Sequence, residues 1–137
     1  MDGVNNKMYE LALKLGIIEN GEVRPYAVSK SSPYMDLTIE ALPYIEDPRG
    51  RGAMAFSMSH HFIQNGDLCY EPEMVLLVNT TDETLEAYSF HQAIPPVYNE
   101  AFSEDDEVNL SLQSKMHEFL DLWLNNLVDQ GLSLIHI

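Results

Sequence analysis

The dipeptide Asn65-Gly66 stands between two β-rich runs at 53–64 and 68–79, and it constrains the fold more than any other feature of the chain. A tight two-residue hairpin loop needs positive φ at both central residues, which Asn and Gly accept at little cost. A hairpin over 53–79 follows. If Gln64 faces Asp67, the ladder sets His61 opposite Tyr70 and His60 opposite Glu71. Leu68, Tyr70, Pro72 and Met74 then share the His61 side, and Cys69, Glu71 and Glu73 the His60 side, unless Pro72 introduces a bulge.

The same stretch, H-H-F-I-Q-N-G-D-L-C-Y-E at 60–71, is rich in side chains that bind metals or move protons. Strand alternation puts His60 and His61 on opposite faces, so the two imidazoles do not chelate one ion. No H-x-H, H-E-x-x-H or C-x-x-C spacing occurs, and the single cysteine, Cys69, builds no structural zinc site. Nothing basic or helical near Cys69 lowers its pKa toward that of a nucleophile. A site of His60 and Glu71 with His91 or Asp67 as third ligand is the remaining metal arrangement; a cross-strand hydrogen bond between imidazole and carboxylate is the simpler reading. Arg49 and Arg51, in the turn-rich I-E-D-P-R-G-R-G at 45–52, could hold a phosphate or carboxylate because glycines admit close backbone approach. A solubilising loop explains them equally simply. There is no Gly-rich phosphate loop and no G-x-S-x-G elbow, so no catalytic residue and no cofactor is assigned.

Around the hairpin, periodicity supplies the other elements. Met8, Leu11, Ala12 and Leu15 recur at helical spacing, with Asn5 or Asn6 as cap and Gly16 at the C′ position. A short strand at 23–28 is interrupted by Pro25, which suits a sheet edge. Met35, Leu37, Ile39 and Ala41 alternate with Asp36, Thr38 and Glu40, the pattern of a half-buried strand. After the turn N-T-T-D-E-T comes a fifth strand at 85–92, and I-P-P at 94–96 ends the sheet. Ser103, with Asp106 three residues on, carries a helix-start signature, and the acidic run S-E-D-D-E would complement the helix dipole. Leu112, Met116, Phe119, Leu120, Trp123, Leu124 and Leu127 form the apolar stripe, Gln113 lies off it, and Gly131 closes the helix. Trp123 is the expected anchor of that helix on the sheet.

These elements predict an α+β domain over 1–131. It is a mostly antiparallel four- to five-stranded sheet ordered largely as a meander around the 53–79 hairpin, with the N-terminal and the long C-terminal helix packed on one face. The final L-S-L-I-H-I, 132–137, matches the translation of a transposase-type sequencing adapter (CTG TCT CTT ATA CAC ATC), so it is read as a library-derived tail on a metagenomic frame.

Charge narrows function. Asp and Glu number 22 against 7 Lys and Arg, a formal net charge of −15, whereas nucleic-acid binding runs on basic side chains that displace counterions. Direct nucleic-acid binding is therefore not expected. With 45% hydrophobic residues the chain has enough apolar material for a packed core. No secretion signal or apolar run of spanning length occurs, so the cytoplasm of a bacterial host is the expected compartment, with no membrane association.

Four segments carry a resemblance: P-Y-M-D-L-T-I-E (33–40), S-H-H-F-I-Q-N-G-D-L-C-Y-E-P-E-M-V-L-L-V (59–78), Y-S-F-H-Q-A-I-P-P-V-Y-N-E-A-F (88–102) and F-L-D-L-W-L-N-N-L-V-D-Q-G (119–131). Together they resemble a domain-of-unknown-function family of bacterial phages, plasmids and integrative conjugative elements, most specifically through Q-N-G-D-L and P-E-M. Glu71 replaces the family's usual Asp before Pro72, and I-P-P-V-Y stands where an Asp and a Gly are usual. The resemblance implies a genomic setting and carries over no catalytic residue. The expected function is a non-enzymatic accessory protein of such an element that binds a protein partner through its acidic surface, in counter-defence. The alternative is a small-molecule or nucleotide binder, or a metal-dependent hydrolase, built from His60, Asp67, Glu71 and His91 with Arg49 and Arg51 nearby.

Overall fold

A computed structural model describes residues 2–19, 21–23, 25–29, 36–64, 66–92 and 97–129. The elements run α1 (Asp2–Leu15), β1 (Ile18–Glu19), β2 (Glu22–Val23), β3 (Tyr26–Ser29), β4 (Asp36–Ala41), β5 (Met54–Gln64), β6 (Asp67–Asn79), β7 (Thr84–Gln92), β8 (Val97–Glu100) and α2 (Leu110–Asp129). Strands β3 to β8 form a six-stranded antiparallel meander in chain order, and β1 and β2 make a separate two-stranded ribbon. The sheet thus has one strand more than expected. Chain resumes pairing after the I-P-P segment, because Val97–Glu100 returns along the end of β7.

The hairpin register holds from the turn to His61, with Gln64 facing Asp67 and His61 facing Tyr70, and Gly66 takes φ 83°. Asn65 lies outside the described residues. Between His61 and Ser59 the register shifts, since Ser59 faces Glu73 and Met58 faces Met74. One residue of β5, His60, is therefore spanned by two of β6, Glu71 and Pro72. Proline has no N–H to give the ladder and is tolerated in sheets at such bulges. The bulge corrects the expected sides: Met74 joins Phe56 and Met58, while Glu73 moves to the side of Ser59. A second shift, between Val75 and Leu76, takes up an extra residue of β7 at Tyr88.

Leu37, Ile39, Phe56, Met58, Met74, Leu76, Leu85 and Ala87 are fully buried on the face that receives both helices. The helices add Met8, Ala12 and Leu15 from α1 and Met116, Leu120, Trp123, Leu124 and Leu127 from α2. Each large side chain so buried contributes about 1.5–3 kcal/mol before entropy is charged against it. No described helix is long and apolar enough to cross a membrane.

Helix ends are set by local hydrogen bonds. Gly16, at φ 82°, donates its N–H to Leu13 O (3.1 Å) and Ile17 donates to Ala12 O (3.1 Å), the paired bonds of a Schellman stop. The start of α1 is earlier than expected. Asn6 is no cap; its Nδ2 donates to the carbonyls of Asp82 and Glu83 and ties α1 to the β6–β7 turn. The start of α2 is later than expected. Asn109 caps it by accepting the Leu112 N–H at 3.0 Å, whereas the Ser103 hydroxyl accepts N–H bonds from Asp105 and Glu107 and folds 103–107 into its own loop. The acidic run therefore precedes the helix, and the first turn of α2 holds no acidic residue. Gly131 lies outside the described residues.

Candidate functional site

The I-E-D-P-R-G-R-G segment folds around Asp47. Its Oδ1 accepts the Arg49 N–H (3.0 Å), and its Oδ2 accepts those of Arg51 (3.0 Å) and Ala53 (3.2 Å). Partial burial raises the pKa of Asp47, but these three N–H bonds and the Arg49 charge outweigh it and hold the carboxyl below its usual range. Gly50 and Gly52 sit at φ 66° and 78°, which lets the loop close so tightly. Arg49 then lies over the Phe102 ring, 5.2 Å from its centroid, and pairs with Glu86 of β7. Burial, and next the Arg51 charge, lower the pKa of Arg49.

From the other side α2 closes on the same strand. Between Thr84 and Ala87 the outer edge of β7 has no strand partner, and at Ala87 two α2 side chains supply what a strand would. The Ala87 N–H donates to His117 Nε2 (3.0 Å), and Gln113 Nε2 donates to Ala87 O (3.0 Å) and to Glu86 Oε2 (3.3 Å). Because His117 Nε2 is an acceptor here, the ring is neutral and its proton sits on Nδ1. Burial pushes its pKa down to about 4.

Two cavities open beside this edge. One, of about 430 Å³, is lined by polar groups including Asn5, Asn6, Arg49, Arg51 and Gln113; the other, of about 440 Å³, is lined by Asn5, Gln113, Ser114, His117, Glu118 and Asp121. Asn5, Leu110 and Gln113 belong to both, so they form one cleft between the first turns of α1 and α2 and the arginine loop.

Of the residues singled out in the sequence, Arg49 and Arg51 do reach a common cavity. His60 lies elsewhere. It packs against Trp123, ring centroids 5.2 Å apart, and its Nε2 accepts the indole N–H at 2.8 Å. Trp123 anchors α2 as expected, in a row that continues through Phe119 to Phe90. His91 lies on the opposite face, beside Glu73 at 3.9 Å and edge-on to Tyr98. His60 and His91 are thus not brought together. Asp67 and Glu71 are on β6, with side chains outside the described residues, so the proposed His60–Glu71 pair falls there too. Among the described residues no three His, Cys, Asp or Glu side chains gather as a metal site.

Sequence periodicity singles out neither Gln113 nor His117. Gln113 lies off the expected apolar stripe, yet is buried. Their spacing of four on an amphipathic helix puts both on one face, which is the signal the sequence does hold.

The architecture defines an α+β domain in which a helix pair covers one face of a six-stranded meander and caps its unpaired edge with side chains. The chain belongs to the DUF6908 family, a domain of unknown function whose signature matches it over residues 6–133. Neither a curated protein nor a solved structure matches it.

Proposed function

We propose that this protein is a non-enzymatic accessory protein of a phage or other mobile element, and that it acts by binding a protein partner whose contact surface is basic, in counter-defence against its host. One observation carries the reading: no Lys or Arg occurs between Arg51 and Lys115, so β5 to β8 and the loop that follows them contain acidic residues and no such cation. Glu100, Glu104, Asp105, Asp106 and Glu107 are exposed along this stretch. A one-signed field of that kind steers a basic partner and repels phosphate backbones. The likeness of the Q-N-G-D-L and P-E-M segments to those of mobile-element proteins supports the setting. A hydrolase centred on His60 and His91 draws no support from side chains held on opposite faces of a sheet.

The test is capture from a host lysate at about 50 mM and about 300 mM salt, with a variant neutralised at four positions (E104Q, D105N, D106N, E107Q). A partner retained at low salt, released at high salt and lost with the variant supports the reading. Empty lanes at both salts, or capture indifferent to both salt and variant, sink it.

A further inference from the structure

We propose that the cleft between α1, α2 and the 47–53 loop binds a small organic anion of mononucleotide size that carries one phosphate. Chemistry and shape both point there. In a chain with seven Lys and Arg, two of them, Arg49 and Arg51, line the same cavity of about 430 Å³. Arg51 is exposed, and its guanidinium has no partner among the described residues. Arg49 Nε is buried without an acceptor, although its terminal nitrogen holds Glu86. Arg49 Nε is sealed from solvent, so Arg49 acts on the cavity through its charge, and the exposed guanidinium of Arg51 is the group placed to bond an oxyanion there.

The backbone adds to the field. Leu110, the first residue of α2, lines both cavities, and Asn109 caps only the Leu112 N–H with its side chain. No acidic residue stands in the first turn of α2, so the positive end of a 20-residue helix faces the same cavity as the two arginines. Asp47 fixes the arginine loop through its three N–H bonds, so less ordering is needed on binding. Asp82 and Glu86 also line the cavity, but each is engaged, Asp82 by Asn79 Nδ2 and Glu86 by Arg49 and Gln113.

The adjoining cavity fits the body of such a ligand. Asn5, Gln113, Ser114 and the neutral His117 offer amide, hydroxyl and imidazole groups to ring heteroatoms, and the two volumes together lie within the range of small-molecule sites. Glu118 and Asp121 on its wall repel further negative charge, which favours a monophosphate over a polyphosphate.

Titration calorimetry on the full chain at about 50 mM salt, with inorganic phosphate, AMP, adenosine and ATP as probes, tests this. AMP should bind saturably, about tenfold or more tighter than adenosine or ATP, and Arg51→Ala should weaken it by about tenfold. Only the main chain of Arg51 meets Asp47, so that variant keeps its loop, which an unchanged circular dichroism melt would verify. Phosphate binding without AMP binding overturns the proposal, because the second cavity then holds no ligand body. No saturable binding of AMP, equal binding of AMP and adenosine, equal binding of AMP and ATP, or an Arg51→Ala variant that binds AMP as well as the parent overturns the proposal.

Discussion

His117 shows how much one side chain can be asked to do. It accepts the Ala87 N–H at the covered edge of β7 that lacks a strand partner, which it does only while neutral. A folded pKa of about 4 against an ordinary 6.5 means that the unfolded chain takes up this proton first as pH falls. The stabilisation is complete above about pH 6.5 and is lost progressively toward pH 4. After allowance for the partial exposure of the ring, roughly 2 kcal/mol is at stake. Denaturant melts across that window should show the decline, and His117→Gln, which keeps an acceptor but cannot titrate, should flatten it. A parent and variant with superimposable pH profiles would remove His117 from the account.

The elements owe their limits to caps more than to propensity. Asn109 sets the start of α2, and the S-E-D-D-E run serves a separate loop closed by Ser103 N–H to Glu107 O (2.8 Å) and an isolated bridge between Phe102 and Val108. Asn109→Ala should therefore cost about 1 kcal/mol and shorten the helical signal in circular dichroism. Ser103→Ala should leave helix content unchanged and cost about half as much, since it removes a neutral side-chain acceptor in an exposed turn. If Ser103→Ala frays the helix and Asn109→Ala does not, the start of α2 has been misassigned. Pro72 acts comparably on the sheet. Its missing N–H places a bulge where β6 would otherwise continue in step, and that bulge decides that Met74 faces the core.

For the whole molecule, charge works against compactness. With a net charge of −15 on 137 residues, self-repulsion is strongest at low ionic strength. Moving from about 0.01 M to about 0.15 M salt shortens the Debye length from about 30 Å to about 8 Å and should raise the melting temperature, read by scanning calorimetry. A melting temperature that falls with salt would mean that attractive ion pairs, such as Arg49 with Glu86, outweigh the repulsion. The fold that carries this charge is simple in connectivity, each strand of the large sheet pairing with its neighbour in sequence. Sequence reasoning reaches such a topology because hairpin turns are local, as the pairings of Gln64 with Asp67 and of Asn79 with Thr84 show. It stopped short of β8, whose four residues are mostly exposed and show no alternation.

What the sequence determined by itself was whatever a few consecutive residues decide: the hairpin register near its turn, the glycine stop of α1, the apolar stripe of α2 and the acidity of the surface. Tertiary structure alone decided which distant groups meet. Trp123 finds His60 from 63 positions away, and Gln113 and His117 reach a strand edge some 30 residues earlier. Such pairings depend on how the helices settle on the sheet. A side chain's partner across that interface is chosen by burial and by the need to satisfy every polar group, and neither condition is written in its neighbours along the chain.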